Sequence, residues 1–193
     1  MQIKKELLDQ CIAKNQRAQQ ALYKACFPFF MKICRPYSRD DQEAMSLLNG
    51  GFYKVLTGIS KKPTEIPFVM WAKKVLINSI IDHYRKNKKH NERHHCIEDV
   101  SIYERPNKQF EPFVADYVFE VEEIVALIRN LPTTTSMVFT LFAVDDYSYP
   151  EIADRLNITE STVRWHISKA RKELIDRMEQ LSSKKKLMHE QAG

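Results

Sequence analysis

The stretch that most constrains this chain runs from Ser148 to Leu174, SYPEIADRLNITESTVRWHISKARKEL. Ser148 and Glu151 have the S-x-x-E spacing of a capping box, and Pro150 sits in the first turn, where its missing N–H costs nothing. Ile152, Ala153 and Leu156 then form one apolar face. Asn157 follows where a left-handed turn is needed, and Thr159 is a good N-cap for the next helix. In that second helix Val163, Ile167, Ala170 and Leu174 make a single stripe of 3.6-residue period. Arg164, Trp165, Ser168, Lys169, Arg171 and Lys172 fall off the stripe and are expected to face outward. Small Ala153 allows the two helices to cross closely. The alternative is an ordinary amphipathic hairpin with solvated charges. Capping, turn residue, small residue and basic outer face all agree on a helix-turn-helix whose second helix suits a DNA major groove.

The rest of the chain supplies a context for that motif. Its 193 residues allow one medium domain or two small ones, and with only 4 glycines and long periodic segments helix should dominate. The net charge of +5 is unevenly spread. Residues 1–95 hold 18 Lys and Arg against 8 Asp and Glu; residues 96–129 hold 3 against 8; residues 130–193 are balanced at 9 and 9. A basic front, an acidic middle and a neutral back point to two modules around a connector, with the front suited to a polyanion or simply to a solvated basic surface. Cys11, Cys26, Cys34 and Cys96 show no C-x-x-C spacing, and reduced thiols in a cytoplasmic protein are expected. The start, MQIKKELLDQ, does not read as a signal peptide, and no apolar run approaches membrane-spanning length, so no membrane insertion is expected.

In chain order, residues 3–32 predict two helices broken near Asn15, with Pro28 kinking or starting a helix. Residues 40–57 predict a third helix with Ala44, Leu47, Leu48, Phe52 and Val55 buried. Gly50-Gly51 inside it costs about 1 kcal/mol per glycine relative to alanine, which points to a kink or the close approach of another backbone. A loop over 58–67 exposes Lys61 and Lys62. The long helix from Phe68 to about Lys88 is apolar over most of its circumference and should be central to the first module. It aligns Trp71, Val75, Asn78, Asp82 and Arg85 on one stripe, either a functional face or a core edge with an Asn hydrogen bond and an Asp–Arg pair. The basic run RKNKKHNERHH follows, then an acidic, proline-containing segment over 96–117 that reads as a linker. Residues 118–130 predict an amphipathic helix ended by Pro132, with Thr133 or Thr134 capping the next; Met137, Val138, Leu141 and Phe142 continue the core. The tail from Ser182 is polar, basic at Lys184–Lys186, and expected to fray.

The order and spacing of these pieces resemble a bacterial sigma factor. Leu131-Pro132, Glu151-Ile152-Ala153, Leu156, Ile158, Thr162-Val163, Ala170-Arg171 and Leu174 resemble sigma region 4. Trp71, Asn78, Asp82 and Arg85 match the W-x6-N-x3-D-x2-R pattern of region 2. Both together are similar to the extracytoplasmic-function group of the sigma-70 superfamily. The resemblance implies an all-α fold of two small helical domains: region 2 over 1–95, the linker over 96–117, region 4 over 118–181 and a basic tail over 182–193. One departure stands out. The family's D-x-x-Q-E-x-F reads Ser46-Leu47-Leu48-Asn49-Gly50-Gly51-Phe52 here, keeping only Phe52.

The resemblance further implies partners and site residues. RNA polymerase core (its β and β′ subunits) would hold the chain through Asp41, Met45, Leu48, Asn49 and Phe52. Duplex DNA of the upstream (−35) promoter element would meet Ser161, Thr162, Arg164, Trp165, Ser168, Lys169, Arg171 and Lys172. The melted strand near the start site (−10) would meet Lys61, Lys62, Phe68, Trp71, Lys73, Lys74, Asn78 and Arg85. An anti-sigma factor or an auxiliary recruiting protein is a further implied partner. No cofactor or metal is implied. Two rivals are a stand-alone regulator with a sensor front, and an enzyme. The first would not need the Trp71–Arg85 pattern. The second lacks a nucleophile–base set, a glycine loop or metal spacing, His94-His95-Cys96 being the one tempting cluster.

Overall fold

The break expected near Asn15 is built from a left-handed residue and a cap. In the computed structural model, which describes residues 3–92 and 119–191, Lys14 has φ 60°, and the Asn15 side chain accepts the Ala18 N–H at 3.1 Å. These separate α1 (Lys5–Ile12) from α2 (Gln16–Cys34). Pro28 neither starts nor ends α2, which runs through it; Cys26, Phe30, Met31 and Cys34 are buried around it and hold the helix together. Asp40 caps α3 (Asp41–Gly58) by accepting the Glu43 N–H at 2.7 Å, and Asp41 and Glu43 occupy the positive end of the helix dipole. α4 spans Phe68–Glu92, a few residues beyond the expected end.

These four helices belong to one compact unit, Met1–Cys96. Its core holds Leu22, Cys26, Phe30, Leu48, Val55, Leu76 and Ile80. Each large apolar side chain so buried contributes about 1.5–3 kcal/mol before chain entropy is counted. Tyr23 meets Phe52 edge-on at 5.1 Å, and Phe30 lies 6.3 Å from Phe52. The two glycines of α3 differ. A Cβ at Gly51 would overlap the Leu76 side chain and stand 3.5 Å from its Cα, so Gly51 lets α3 and α4 approach; at Gly50 nothing lies within 4 Å. The free thiols Cys11, Cys26 and Cys34 are buried. Burial raises all three above the usual thiol range, Cys26 to about 11 and Cys34 to about 12, so they remain protonated and inert at neutral pH.

The second unit, Ile97–Gly193, contains α5 (Val121–Arg129), α6 (Thr133–Ala143), α7 (Tyr149–Leu156) and α8 (Glu160–Gln191). The expected linker over 96–117, the His94-His95-Cys96 cluster and Val118 lie outside the described residues. A Glu120–Glu123 capping box opens α5. Pro132, not Thr133 or Thr134, precedes α6; its extended backbone delivers its carbonyl to the Ser136 N–H at 2.8 Å, which leaves Thr133 as the first helical residue. Val138, Leu141, Ile152, Leu156, Val163 and Ile167 fill the core between α6, α7 and α8, and Leu127, Ile128, Leu131, Ala170 and Leu174 join α5 to α8. Within this apolar body the Thr135 hydroxyl and His166 Nδ1 hydrogen-bond at 3.0 Å, satisfying two buried polar groups at once.

The tail corrects the expected fraying. α8 continues to Gln191 as one helix of 32 residues. Met178 and Leu181 prolong its apolar stripe against the α5 cluster. Lys185 Nζ reaches the Glu123 carboxylate at 2.7 and 2.9 Å and lies 5.1 Å from the Phe119 ring centre. The Lys185 hydrogen bond, aided by the Glu120 N–H, holds the Glu123 carboxyl below its ordinary range.

Candidate nucleic-acid interface

The helix-turn-helix forms as its local signals require. The Ser148 N–H and hydroxyl both donate to the Glu151 carboxylate, at 2.9 and 2.7 Å. Asn157 is left-handed, with φ 54° and ψ 53°, and directs the Ile158 N–H back to the Ala153 carbonyl at 3.1 Å. The Thr159 hydroxyl then accepts the Thr162 N–H at 3.2 Å and lies 2.7 Å from the Ser161 hydroxyl and 2.8 Å from that of Thr162. The first turn of α8 thus presents three linked hydroxyls, with Ser161 exposed and Thr162 half-buried. Val163, Ile167 and Ala170 anchor the opposite side in the core.

Four cations on or beside this face lie over aromatic rings. Arg164, 64 % exposed, has its guanidinium carbon 4.9 Å from the Tyr149 ring centre and pairs with Glu160 at 3.7 Å. Arg171 lies 5.7 Å from the Phe142 ring centre, Lys169 stands 4.9 Å from that of Trp165, and Arg155 of α7 lies 4.9 Å from that of Tyr147. Arg171 and Lys172 are exposed, whereas Trp165, Ser168 and Lys169 are half-buried. All eight expected residues of α8 therefore lie on or beside its solvent side. From the sequence Phe142 belongs to the core, but it is half-buried at the surface beside Arg171, and the rings of Tyr147 and Tyr149 have no sequence-derived role. Three aromatics bunched between the end of one predicted helix and the start of the next were the available signal.

Of the other expected DNA residues in the first unit, Lys61, Lys62, Phe68, Trp71, Lys73 and Lys74 lie in the loop before α4 and in its first two turns, whereas Asn78 sits mid-helix and Arg85 about 25 Å along from Phe68. The loop over 58–67 is partly structured. Ile59–Lys61 form a 3-10 turn, and Lys62 Nζ donates to the carbonyls of Pro63 and Ile66 at 2.6 and 2.7 Å. Lys62 thus ties the loop together, while Lys61 is exposed. Phe68 is buried, with its ring 6.1 Å from that of half-buried Trp71. Trp71 rests on Gly58, where a Cβ would stand 3.4 Å from the indole. Lys74 and Arg85 are exposed, and Lys73 and Asn78 half-buried. Asp82 does not pair with Arg85 on the stripe; its carboxylate takes Lys54 Nζ of α3 at 2.8 Å.

The residues expected to meet a polymerase divide by burial. On α3, Asp41, Met45 and Asn49 are exposed, and Tyr53 continues their row one turn on. Asp41 pairs with Arg35 at 3.1 Å, and Asn49 Oδ1 accepts the Tyr23 hydroxyl at 2.8 Å. Leu48 is fully buried and Phe52 nearly so; they support this face from within instead of presenting an accessible surface. Among the described residues there is no group of three or more His, Cys, Asp or Glu able to hold a metal ion, and no helix long and apolar enough to cross a membrane.

A helical unit followed by a unit with a basic-faced helix-turn-helix defines a two-module protein of the DNA-binding class. Family models place it further: sigma-70 region 2 matches residues 22–90, and sigma-70 region 4 matches residues 121–174. Together these spans cover well over half of the chain, which belongs to the sigma-70 family of transcription initiation factors, not enzymes. Its layout of region 2 followed by region 4 is that of the extracytoplasmic-function group. No curated protein sequence matches it. Among solved structures it is similar to CnrH, determined in complex with the cytosolic domain of CnrY, at 17% identity over 90% of this chain and 95% of that one, with a TM-score of 0.43. It is also similar to the sigma factor RpoE of Bartonella quintana, determined in complex with the anti-sigma factor NepR, at 15% identity over 81% of this chain and 94% of that one, with a TM-score of 0.47.

Proposed function

We propose that this chain is a cytoplasmic sigma factor that recruits core RNA polymerase to a promoter, reads two promoter elements and promotes opening of the duplex. The observation that carries the reading is the presence of both sigma modules in order on one chain, the second presenting Arg164, Arg171 and Lys172 on the exposed side of its recognition helix. In this reading α8 enters the major groove of the upstream element. Its arginines and lysines contact phosphates or guanine edges, and Trp165 and Ser168 lie beside them as base readers. The start of α4 takes the displaced strand, with Lys61, Lys73 and Lys74 tracking the backbone and Trp71 offering an indole for an unstacked base. The factor consumes no nucleotide. Opening draws on binding energy spread over protein and strand contacts. The exposed row Asp41, Met45 and Asn49 is the polymerase-facing side of α3 in this reading.

The test is runoff transcription with core polymerase and genomic DNA fragments, with no other sigma factor present. A discrete transcript that requires the chain is expected, and sequencing the DNA held by the reconstituted holoenzyme gives the promoter. No defined start under any condition overturns the proposal. The Asn49 engagement with Tyr23, in a segment that departs from the family pattern, favours a second form of the reading in which an auxiliary protein assists recruitment. Core binding that is weak alone and restored by that protein supports it; tight autonomous binding opposes it. An anti-sigma protein is a partner of the same class, and its addition would abolish the transcript.

A further inference from the structure

The rings beneath the arginines are not supplied by α8. Phe142 lies in the last turn of α6, and Tyr149 is the first residue of α7. Their ring centres are 5.1 Å apart, with planes tilted by 44°. Arg171 lies against the Phe142 ring and Arg164 against that of Tyr149. Arg164 and Arg171 are seven residues apart on one helix, about 10.5 Å along its axis and on the same side. Three elements thus build one row, arginine–ring–ring–arginine, along the exposed side of the recognition helix.

We propose that Phe142 and Tyr149 are positioning residues for DNA binding, holding the guanidinium groups of Arg164 and Arg171 in place before the duplex arrives. The inference rests on the reading that α8 enters duplex DNA. An unsupported arginine samples many rotamers and loses that freedom on binding, which costs affinity. A guanidinium held over a ring, as Arg164 is at 4.9 Å and Arg171 at 5.7 Å, has already lost part of it. Contact with a ring uses no N–H donor, so it does not compete with a phosphate or a guanine for the guanidinium's hydrogen bonds. The rings themselves bring no charge to the DNA. Removing a ring therefore weakens binding while the number of phosphate contacts, and hence the salt dependence, stays the same. Removing an arginine changes both.

The test uses the full chain and a random-sequence duplex of about 30 base pairs, titrated across salt concentrations. Tyr149→Leu should bind about five-fold more weakly with an unchanged salt slope. Tyr149→Phe, which keeps the ring, should bind like the wild type. In an Arg164→Ala background, whose salt slope is already reduced, Tyr149→Leu should have no further effect. Phe142→Leu tested against Arg171→Ala should repeat the pattern independently. Three results overturn the proposal. Wild-type or tighter binding by Tyr149→Leu and Phe142→Leu, with the arginine variants weakened, would mean that the rings are idle or withhold the arginines. An equal loss in the Arg164→Ala background would mean general damage to the unit. Wild-type binding by both arginine variants would instead remove the underlying reading of α8.

Discussion

The two units spend their aromatic residues differently. In the first, Tyr23, Phe27, Phe30 and Phe52 interlock between α2 and α3, Tyr23 edge-on to Phe52 and the other pairs tilted, all buried or half-buried. In the second, the core is mainly aliphatic, and Phe142, Tyr149 and Trp165 lie at its surface beside Arg171, Arg164 and Lys169. A buried ring removes 150–250 Å² or so from water and stabilises the body that holds it. A half-exposed ring under a cation stabilises less and orders a charge instead. The candidate cations follow the same division. Those of the first unit are chiefly lysines, compact charges on flexible stems; those stacked in the second are chiefly arginines, whose planar heads fit a ring. In the proposed reading, the unit that takes a pulled-out strand carries adaptable charges, and the unit that meets the duplex has both of its candidate arginines set over rings.

Each unit also carries one tryptophan, Trp71 or Trp165, so replacing the other with phenylalanine gives a separate fluorescence probe of each. The largest expected effect is that of Phe30→Ala, which should cost the first unit about 3–5 kcal/mol. The Trp71 urea transition should move while that of Trp165 stays, and a joint shift would show that the units do not melt independently. Next comes Gly51→Ala: its methyl overlaps the buried Leu76 side chain, an overpacking cost of about 1–3 kcal/mol offset by about 1 kcal/mol of helix propensity, so a net loss of up to about 2 kcal/mol is expected. Its neighbour sharpens the point, since Gly50→Ala should stabilise by about 0.5–1 kcal/mol in the same urea titration. In the second unit, Ser148→Ala removes one arm of the capping box and should cost about 1 kcal/mol, read from the Trp165 transition. The smallest effect concerns Glu123. Its carboxyl is held below the ordinary 4.5, so its contribution is present above that pH and is lost as pH falls through the lower folded value. Lys185→Met should reduce that acid dependence of the Trp165 transition, and an unchanged profile would show that the Lys185–Glu123 pair contributes none of it.

Legibility in the sequence followed the range of the interaction. The capping box at Ser148, the left-handed Asn157, the Thr159 cap and the stripe of α8 are local signals, and all appear in the structure. The Gly50-Gly51 pair pointed to a kink or a close approach, but only the structure separates Gly51, against Leu76, from Gly50, which meets nothing within 4 Å. The stripe of α4 placed Asp82 beside Arg85, yet its partner is Lys54, 28 residues away on α3. Leu48 and Phe52 fell within a family pattern, which says nothing about which side of a helix is covered. The arginine–ring row joins α6, α7 and α8 and has no period to read. The tail was misjudged because Lys184–Lys186 look solvated when taken alone. The same helix packs Met178 and Leu181 against the α5 cluster just before it, and Lys185 within it pairs with Glu123, 62 residues away in sequence.

That long helix has a mechanical corollary. At about 1.5 Å per residue, the 24 steps from Ser161 to Lys185 span about 36 Å of unbroken rod. The Ser161 end is seated on α6 and α7, and the far end is tethered to the front of α5 through Glu123. Because one helix carries both ends, whatever holds Lys185 against α5 also helps to set the direction of the axis that bears Ser161.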